Sequence, residues 1–235
     1  MKEIHINDQN LIDRIIEIFH SDFPVVILEF KYVYGLMAAN NIKGVEALNK
    51  TKRRLPNKYY GSFLGINDSF REIIHPDFTS TFDKVLNAVE GAFLRFPVHN
   101  IRMSNQTCHN NMHQILIESE KLKTVIESIE TEYNKKIKVS DFFTSNFQSP
   151  LISSLNISGS LEGAITHNID ALNFGARKNI PLIIHSDYIT QAAESYPIFS
   201  FNKDCSLRME RRGINDEKIL SKLQQITSNL HKVEI

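Results

Sequence analysis

The chain has 235 residues, 42% of them hydrophobic and 23% charged, enough to bury a sizeable core as one domain, with no stretch so poor in apolar residues that it must stay disordered. Lys plus Arg and Asp plus Glu both number 27, and the resulting zero formal net charge excludes a global field that would draw the protein to nucleic acid or an anionic membrane, leaving any such contact local or indirect. Apolar runs such as 23–30 fall short of a membrane span, the charged start is no signal peptide, and Cys108 and Cys205 are too few for a disulfide framework, so a cytoplasmic single-domain protein is expected.

In chain order, Leu11, Ile12, Ile15, Ile16 and Phe19 recur at helical spacing behind the capping candidates Asn7 and Asp8, which predicts an amphipathic helix. Residues 24–30 form a short apolar, β-branched run of the buried-strand type, followed by a helix over about 41–52. The pattern then predicts a strand over 59–66, a helix over 82–89 and a strand over 92–96 closed by Pro97. From Met112 through Ile115, Leu116, Leu122, Ile126, Ile129 and Tyr133 the apolar residues keep helical spacing among Glu and Lys, which reads as one long surface helix. Residues 150–154, 169–173, 181–185 and 198–201 read as short strands, with a helix near 161–166. The last helix carries the stripe Ile219, Leu220, Leu223, Ile226 and Leu230, with Asp216 and Glu217 in its first turn. Alternating strands and helices argue for an α/β fold with a helix-flanked sheet.

One segment concentrates small polar residues at a strand end: Ser149-Pro-Leu-Ile-Ser-Ser-Leu-Asn-Ile-Ser-Gly159. Such a segment presents backbone N–H groups, hydroxyls and an amide to a phosphate or ribose, and the same residue types are also what a plain strand-to-helix turn demands. Upstream, Val33-Tyr-Gly-Leu36 is followed by the cations Lys52-Arg53-Arg54, which taken alone read as a solvated helix end. Leu94-Arg-Phe-Pro97, Ser195-Tyr-Pro-Ile198 and Arg211-Arg-Gly-Ile214 complete the set.

Together, in this order and spacing, these elements resemble the YrdC-like family across most of the chain. The resemblance implies a twisted mixed sheet flanked by helices around a concave, positively lined cavity. By the same resemblance, Lys52, Arg54, Lys58, Ser154, Asn156 and Arg211 would contact ATP, and Arg95, Ser153 and Ser195 would hold the amino-acid substrate, a carboxylate on Arg making a bidentate pair. The implied reaction condenses L-threonine with bicarbonate to a carbamate, which attacks the α-phosphate of ATP and expels pyrophosphate. The product, threonylcarbamoyl-adenylate, serves tRNA modification, with tRNA itself in indirect or local contact only. That chemistry rests on alignment and on cations, Mg²⁺ included, and needs no nucleophilic side chain, so no catalytic residue is assigned.

Three features depart from the family. Glu29-Phe-Lys-Tyr32 stands where the family has small hydroxyl residues, and Phe63 where it has a His, so the amino-acid end is blocked or takes another substrate. Two alternatives to the synthase therefore remain: a nucleotide- or RNA-binding protein without synthase activity, and an adenylate-forming enzyme with another substrate. Residues 98–148 exceed the family norm and read as a helical insertion. His109 and His113 in that stretch have the i, i+4 spacing of a helical metal chelate, with His99 and Cys108 nearby, but the favoured reading is a polar helix start with no metal. His185-Ser186-Asp187 reads as a strand end and turn, since adjacent residues cannot form a catalytic triad.

Overall fold

The computed structural model describes residues 1–53, 59–99, 107–136, 149–157, 163–186, 195–204 and 206–230. In chain order the elements of the first half are β1 (Lys2–His5), α1 (Leu11–Phe19), β2 (Val25–Glu29), β3 (Tyr34–Ala38), α2 (Ile42–Lys52), β4 (Gly61–Phe63), α3 (Asn67–Arg71), α4 (Thr79–Ala88) and β5 (Ala92–Pro97). The second half adds β6 (Cys108–His109), β7 (Met112–Ile117), α5 (Glu120–Lys136), β8 (Leu151–Ser154), α6 (Asn168–Arg177), β9 (Leu182–His185), β10 (Ile198–Phe201), β11 (Leu207–Arg211) and α7 (Asp216–Leu230). The strands form one mixed sheet in the order β1-β9-β2-β3-β8-β4-β7-β5-β10-β11, with β6 paired to β7. Every residue of β2 and β3 is buried, as expected of central strands covered on both faces.

Packing explains the helices. The α1 stripe Leu11, Ile15, Ile16 and Phe19 is buried against α5, whose own stripe Leu122, Ile126, Ile129 and Tyr133 is buried in return; the Phe19 and Tyr133 rings meet edge to face at 5.6 Å. Asn41 caps α2, its Oδ1 accepting from the Gly44 N–H at 2.8 Å. Helix α5 lies so close to the turn after β4 that a Cβ on Gly65 would stand 2.6 Å from the Glu127 nitrogen. There the Glu130 carboxylate accepts from the Gly65 and Ile66 N–H groups at 3.0 and 2.7 Å.

Several expectations are corrected. Residues 112–117 are strand β7, not the start of a long helix: they pair with β4 on one side and β5 on the other, so that part of the 98–148 stretch is built into the sheet, and among its described residues only α5 is helical. The i, i+4 helical spacing of His109 and His113 does not arise either, because the register Cys108↔His113 and His109↔Met112 places them on a hairpin. Residues 169–173 belong to α6 rather than a strand, with Ala171, Phe174 and Gly175 buried at helical spacing. Residues 163–166 are not helical. Strand β1 was not anticipated at all. None of the described helices is long and apolar enough to cross a membrane.

Candidate functional site

Alternation along the strands builds the site, because every second side chain of a strand faces the same side of the sheet. Met112, Gln114 and Leu116 of β7, Phe93 and Arg95 of β5, Ile198 and Ser200 of β10, and Ile152 and Ser154 of β8 line one cavity of about 520 Å³. Seven residues expected to bind substrates come together on its wall: Lys52, Arg95, Ser153, Ser154, Asn156, Ser195 and Arg211. Arg54 and Lys58 lie outside the described residues, as does the Ser158-Gly159 end of the polar segment.

Lys52 ends α2 and is 1% exposed. Its ammonium donates to the Ser154 carbonyl at 2.5 Å and to both the carbonyl and Oδ1 of Asn156 at 2.9 Å. Three acceptors match its three hydrogens, so Lys52 fixes the chain just after β8 and supplies a buried positive charge there. The Ser154 hydroxyl donates to Asn156 Oδ1 at 2.9 Å, and Asn156 Nδ2 donates to the Gly163 carbonyl at 3.0 Å.

The other wall is cationic. Arg95 Nε donates to Gln114 Oε1 at 2.9 Å, and Arg211 Nη2 donates to the Tyr196 carbonyl at 2.7 Å and the Ser195 hydroxyl at 3.1 Å. Burial disfavours the charge of both guanidiniums, and the proximity of Arg95 disfavours that of Arg211 further; Glu210 is the carboxylate that favours the Arg95 charge. Among the described residues neither arginine forms an ion pair. Arg95, half-buried, and Arg211, exposed, whose hydrogen-bond partners among the described residues are neutral, make the wall a ready receptor for a carboxylate or phosphate, which Arg binds bidentately. Gly213 explains why a small residue follows Arg211: a Cβ there would stand 2.2 Å from the Ser195 carbonyl oxygen.

The departing residues divide. The Phe30 ring lies over Gly35, where a Cβ would meet it at 2.3 Å, and pairs with the fully buried Phe63 at 5.6 Å, so the cavity wall carries aromatic surface at Phe30 with Phe63 packed behind it. Glu29 lies at the end of β2, accepting from the Ser186 N–H at 2.8 Å; burial pushes its carboxyl up. Tyr32 packs on Tyr196 at 5.3 Å. His185 ends β9 and hydrogen-bonds Glu3 at 2.9 Å, a strand end as expected.

Sequence reasoning missed Gln114, which holds Arg95, because the segment was read as a helix; a period-2 reading of 112–117 puts it on the cavity face. It also left Tyr196 without a role. His113 is a buried core histidine, its ring nitrogens 2.8 Å from the Thr107 carbonyl and 3.0 Å from the Ser62 hydroxyl, and burial pulls it down to about 4. The fit to a nucleotide is one of charge and small polar groups. Glu210 is the one carboxylate on the described wall, and no group of three His, Cys, Asp or Glu among the described residues is placed to hold a metal, so Mg²⁺ would be carried chiefly by the phosphates, as this ion usually is.

No protein-family profile matches the chain, and no curated protein matches it in sequence. Solved structures do match. Escherichia coli YciO superposes with a TM-score of 0.68 at 15% identity, over 92% of this chain and 97% of that one. Sua5 of P. abyssi, solved in complex with L-threonine, gives 0.68 at 14% identity over 94% of this chain and 62% of its own length. Full-length HypF, solved in a phosphate- and nucleotide-bound form, gives 0.65 at 12% identity over 86% of this chain and 29% of its own.

Proposed function

The chain has the YrdC/Sua5-like fold, and from that premise we propose that its cavity binds ATP beside a small carboxylate substrate and transfers the adenylyl group, in the manner of a threonylcarbamoyl-adenylate synthase. The observation that carries the reading is the convergence of Lys52, Ser154, Asn156, Arg95, Ser195 and Arg211 from separate helix, strand and loop segments onto one cavity whose arginines form no ion pair among the described residues. In this reading Arg95 holds the substrate carboxylate and Arg211 stabilises charge on the phosphates. The Ser154–Asn156 segment, fixed by Lys52, offers hydroxyl, amide and backbone groups to the nucleotide. The carbamate formed from the amino acid and bicarbonate attacks the α-phosphorus, and the bond to the β-phosphate breaks with release of pyrophosphate. Phe30 and Phe93 put aromatic surface on the same wall, which in this reading limits the approach of water to the mixed anhydride. The setting is cytoplasmic, and the product serves tRNA without a broad tRNA-binding face.

The Phe30–Phe63 pair favours a second reading, the same adenylate chemistry on a substrate other than threonine. The test is pyrophosphate release by purified protein with ATP, Mg²⁺, bicarbonate and each amino acid in turn. Threonine-dependent release is the expected result. Release with a different acid selects the second reading, and thermal stabilisation by ATP without release would leave a nucleotide-binding protein only.

A further inference from the structure

Behind the cavity wall lies a buried acid that the proposed chemistry does not use. Glu118 stands between β7 and α5 and is 6% exposed. The Tyr196 hydroxyl donates to its Oε1, and the Ser119 N–H donates to its Oε2 at 3.1 Å. Tyr196 is 2% exposed and belongs to the cavity wall: its ring packs edge-on against Phe93 at 6.0 Å, and its carbonyl takes the Arg211 guanidinium at 2.7 Å. The next residue upstream, Ser195, supplies the other acceptor of Arg211 and, through its carbonyl, accepts from the Ile214 N–H at 3.2 Å. One side chain outside the cavity is thus joined, through a single tyrosine, to the arm that presents Arg211 to it.

We propose that Glu118 is a positioning residue: ionised, it clamps Tyr196 and thereby sets the Ser195–Arg211 arm, so that its protonation loosens the arm and weakens binding of an anionic ligand. The affinity half of this proposal rests on the nucleotide reading given above; the coupling of Glu118 to the arm does not.

A carboxylate accepts two charge-assisted hydrogen bonds here, where a neutral carboxyl accepts two ordinary ones about half as strong. Its surroundings make the change accessible. Burial, opposed by the bonds from Tyr196 and Ser119, pushes Glu118 up to about 7. The charged groups around it come from every neighbouring element: Lys31 before β3, Glu90 before β5, Glu120 and Lys123 on α5, and Lys218 and Lys222 on α7, all lining a second cavity of about 490 Å³. Lys31 is held by Glu90 at 2.8 Å, and of this pair Glu90 raises and Lys31 lowers the Glu118 carboxyl. Tyr32, the residue that departs from the family at this point, packs on the opposite face of the linkage at 5.3 Å from the Tyr196 ring.

The test follows the backbone amides of Tyr196 and Ile198 and the Arg211 Nε–H by NMR between about pH 5 and 9 in the wild type, with ATP affinity measured alongside. The expected result is one shared midpoint near 7 in all three signals, with ATP binding several-fold weaker below it. In Glu118→Gln the midpoint vanishes and the affinity loses its pH dependence. Tyr196→Phe keeps the ring contacts and removes the O–H, and in it the Ile198 and Arg211 signals no longer titrate. Signals that do not titrate, or that titrate unchanged in Glu118→Gln, overturn the coupling; an ATP affinity flat across the midpoint while the signals move overturns the affinity half. Should ATP fail to bind the wild type at any pH, the nucleotide reading falls and the amide titration still decides the coupling.

Discussion

At the scale of single residues, the most informative side chain is Lys52, because its sequence context and its structural context say different things. Next to Arg53 and Arg54 it reads as part of an exposed cationic helix end; in the fold it is buried and bound to three oxygens of the Ser154–Asn156 segment. Its positive charge counts, but so does its geometry, and the two separate in a substitution. Lys52→Met keeps the aliphatic stem and removes a buried ammonium and its three hydrogen bonds to the Ser154–Asn156 segment, which is expected to cost about 1–3 kcal/mol in urea unfolding and to abolish stabilisation by ATP. A lysine that merely touched ligand would lose the ATP effect with unfolding unchanged. Arg95 behaves differently: among the described residues its hydrogen-bond partner is neutral Gln114, so Arg95→Gln is expected to leave unfolding within about 1 kcal/mol of the wild type while removing most carboxylate-substrate binding, as isothermal titration would show.

At the scale of elements, the arm before β10 and the end of β11 are held together by close approach. Gly213 is pressed against the Ser195 carbonyl and the Pro197 nitrogen, which a Cβ would meet at 2.2 and 2.5 Å. Gly213→Ala must therefore push residues 195–197 outward, and the expected outcome is loss of ligand binding together with about 1–3 kcal/mol of stability, read by thermal unfolding with and without ATP. The Arg-x-Gly spacing was legible in the sequence as a family mark; its cause, two chain segments in contact, was not. The same distinction runs through the elements. Amphipathic helices with a clean stripe, α1 and α7, could be read directly because one buried face imposes period 3.6. Strand β7 could not, because a central strand buries both faces: Met112, Ile115 and Leu116 are apolar for two different reasons and happen to fall at helical spacing. Helix α6 was misread because its N-cap, His167, makes no side-chain cap, Gly175 interrupts its buried face, and Ile169 is 63% exposed. Strand β1 has one buried residue, Ile4, and so no pattern to read; parallel pairing to β9 makes it a strand. The candidate site was legible where the residue types are dictated by small polar groups and cations, and hidden where a role arises from a neighbour across the sheet, as with Gln114 and Tyr196.

At the scale of the whole molecule, Glu118, Glu130 and His113 dominate how stability responds to pH near neutrality, with buried Glu29 raised in the same sense as the other two acids, since most of the carboxylates and lysines in described ion pairs are part-exposed and contribute little. Glu118 and Glu130 are each raised from 4.5 to about 7, chiefly by burial. Between those values the folded state holds protons that the unfolded chain has released, so stability falls as pH rises through this window, by on the order of 3 kcal/mol per group once both are ionised in either state. His113 acts in the opposite sense: burial lowers it from 6.5 to about 4, so between those values the unfolded chain binds the extra proton and stability rises with pH. Two acids against one base leave a net fall from mildly acidic to mildly alkaline pH, although an overall formal charge of zero would by itself give no such slope near neutrality. The unfolding free energy measured in urea is thus expected to be greatest near pH 5 and to fall by several kcal/mol toward pH 8. Replacing either Glu118 or Glu130 by Gln should remove most of that net fall, and replacing both should turn it into the rise set by His113, because the two carboxylates accept from different donors. A stability profile that instead rises from pH 5 to pH 8 would mean that both carboxyls ionise at ordinary values in the folded protein, and with that the proposed clamp on Tyr196 would lose its switch.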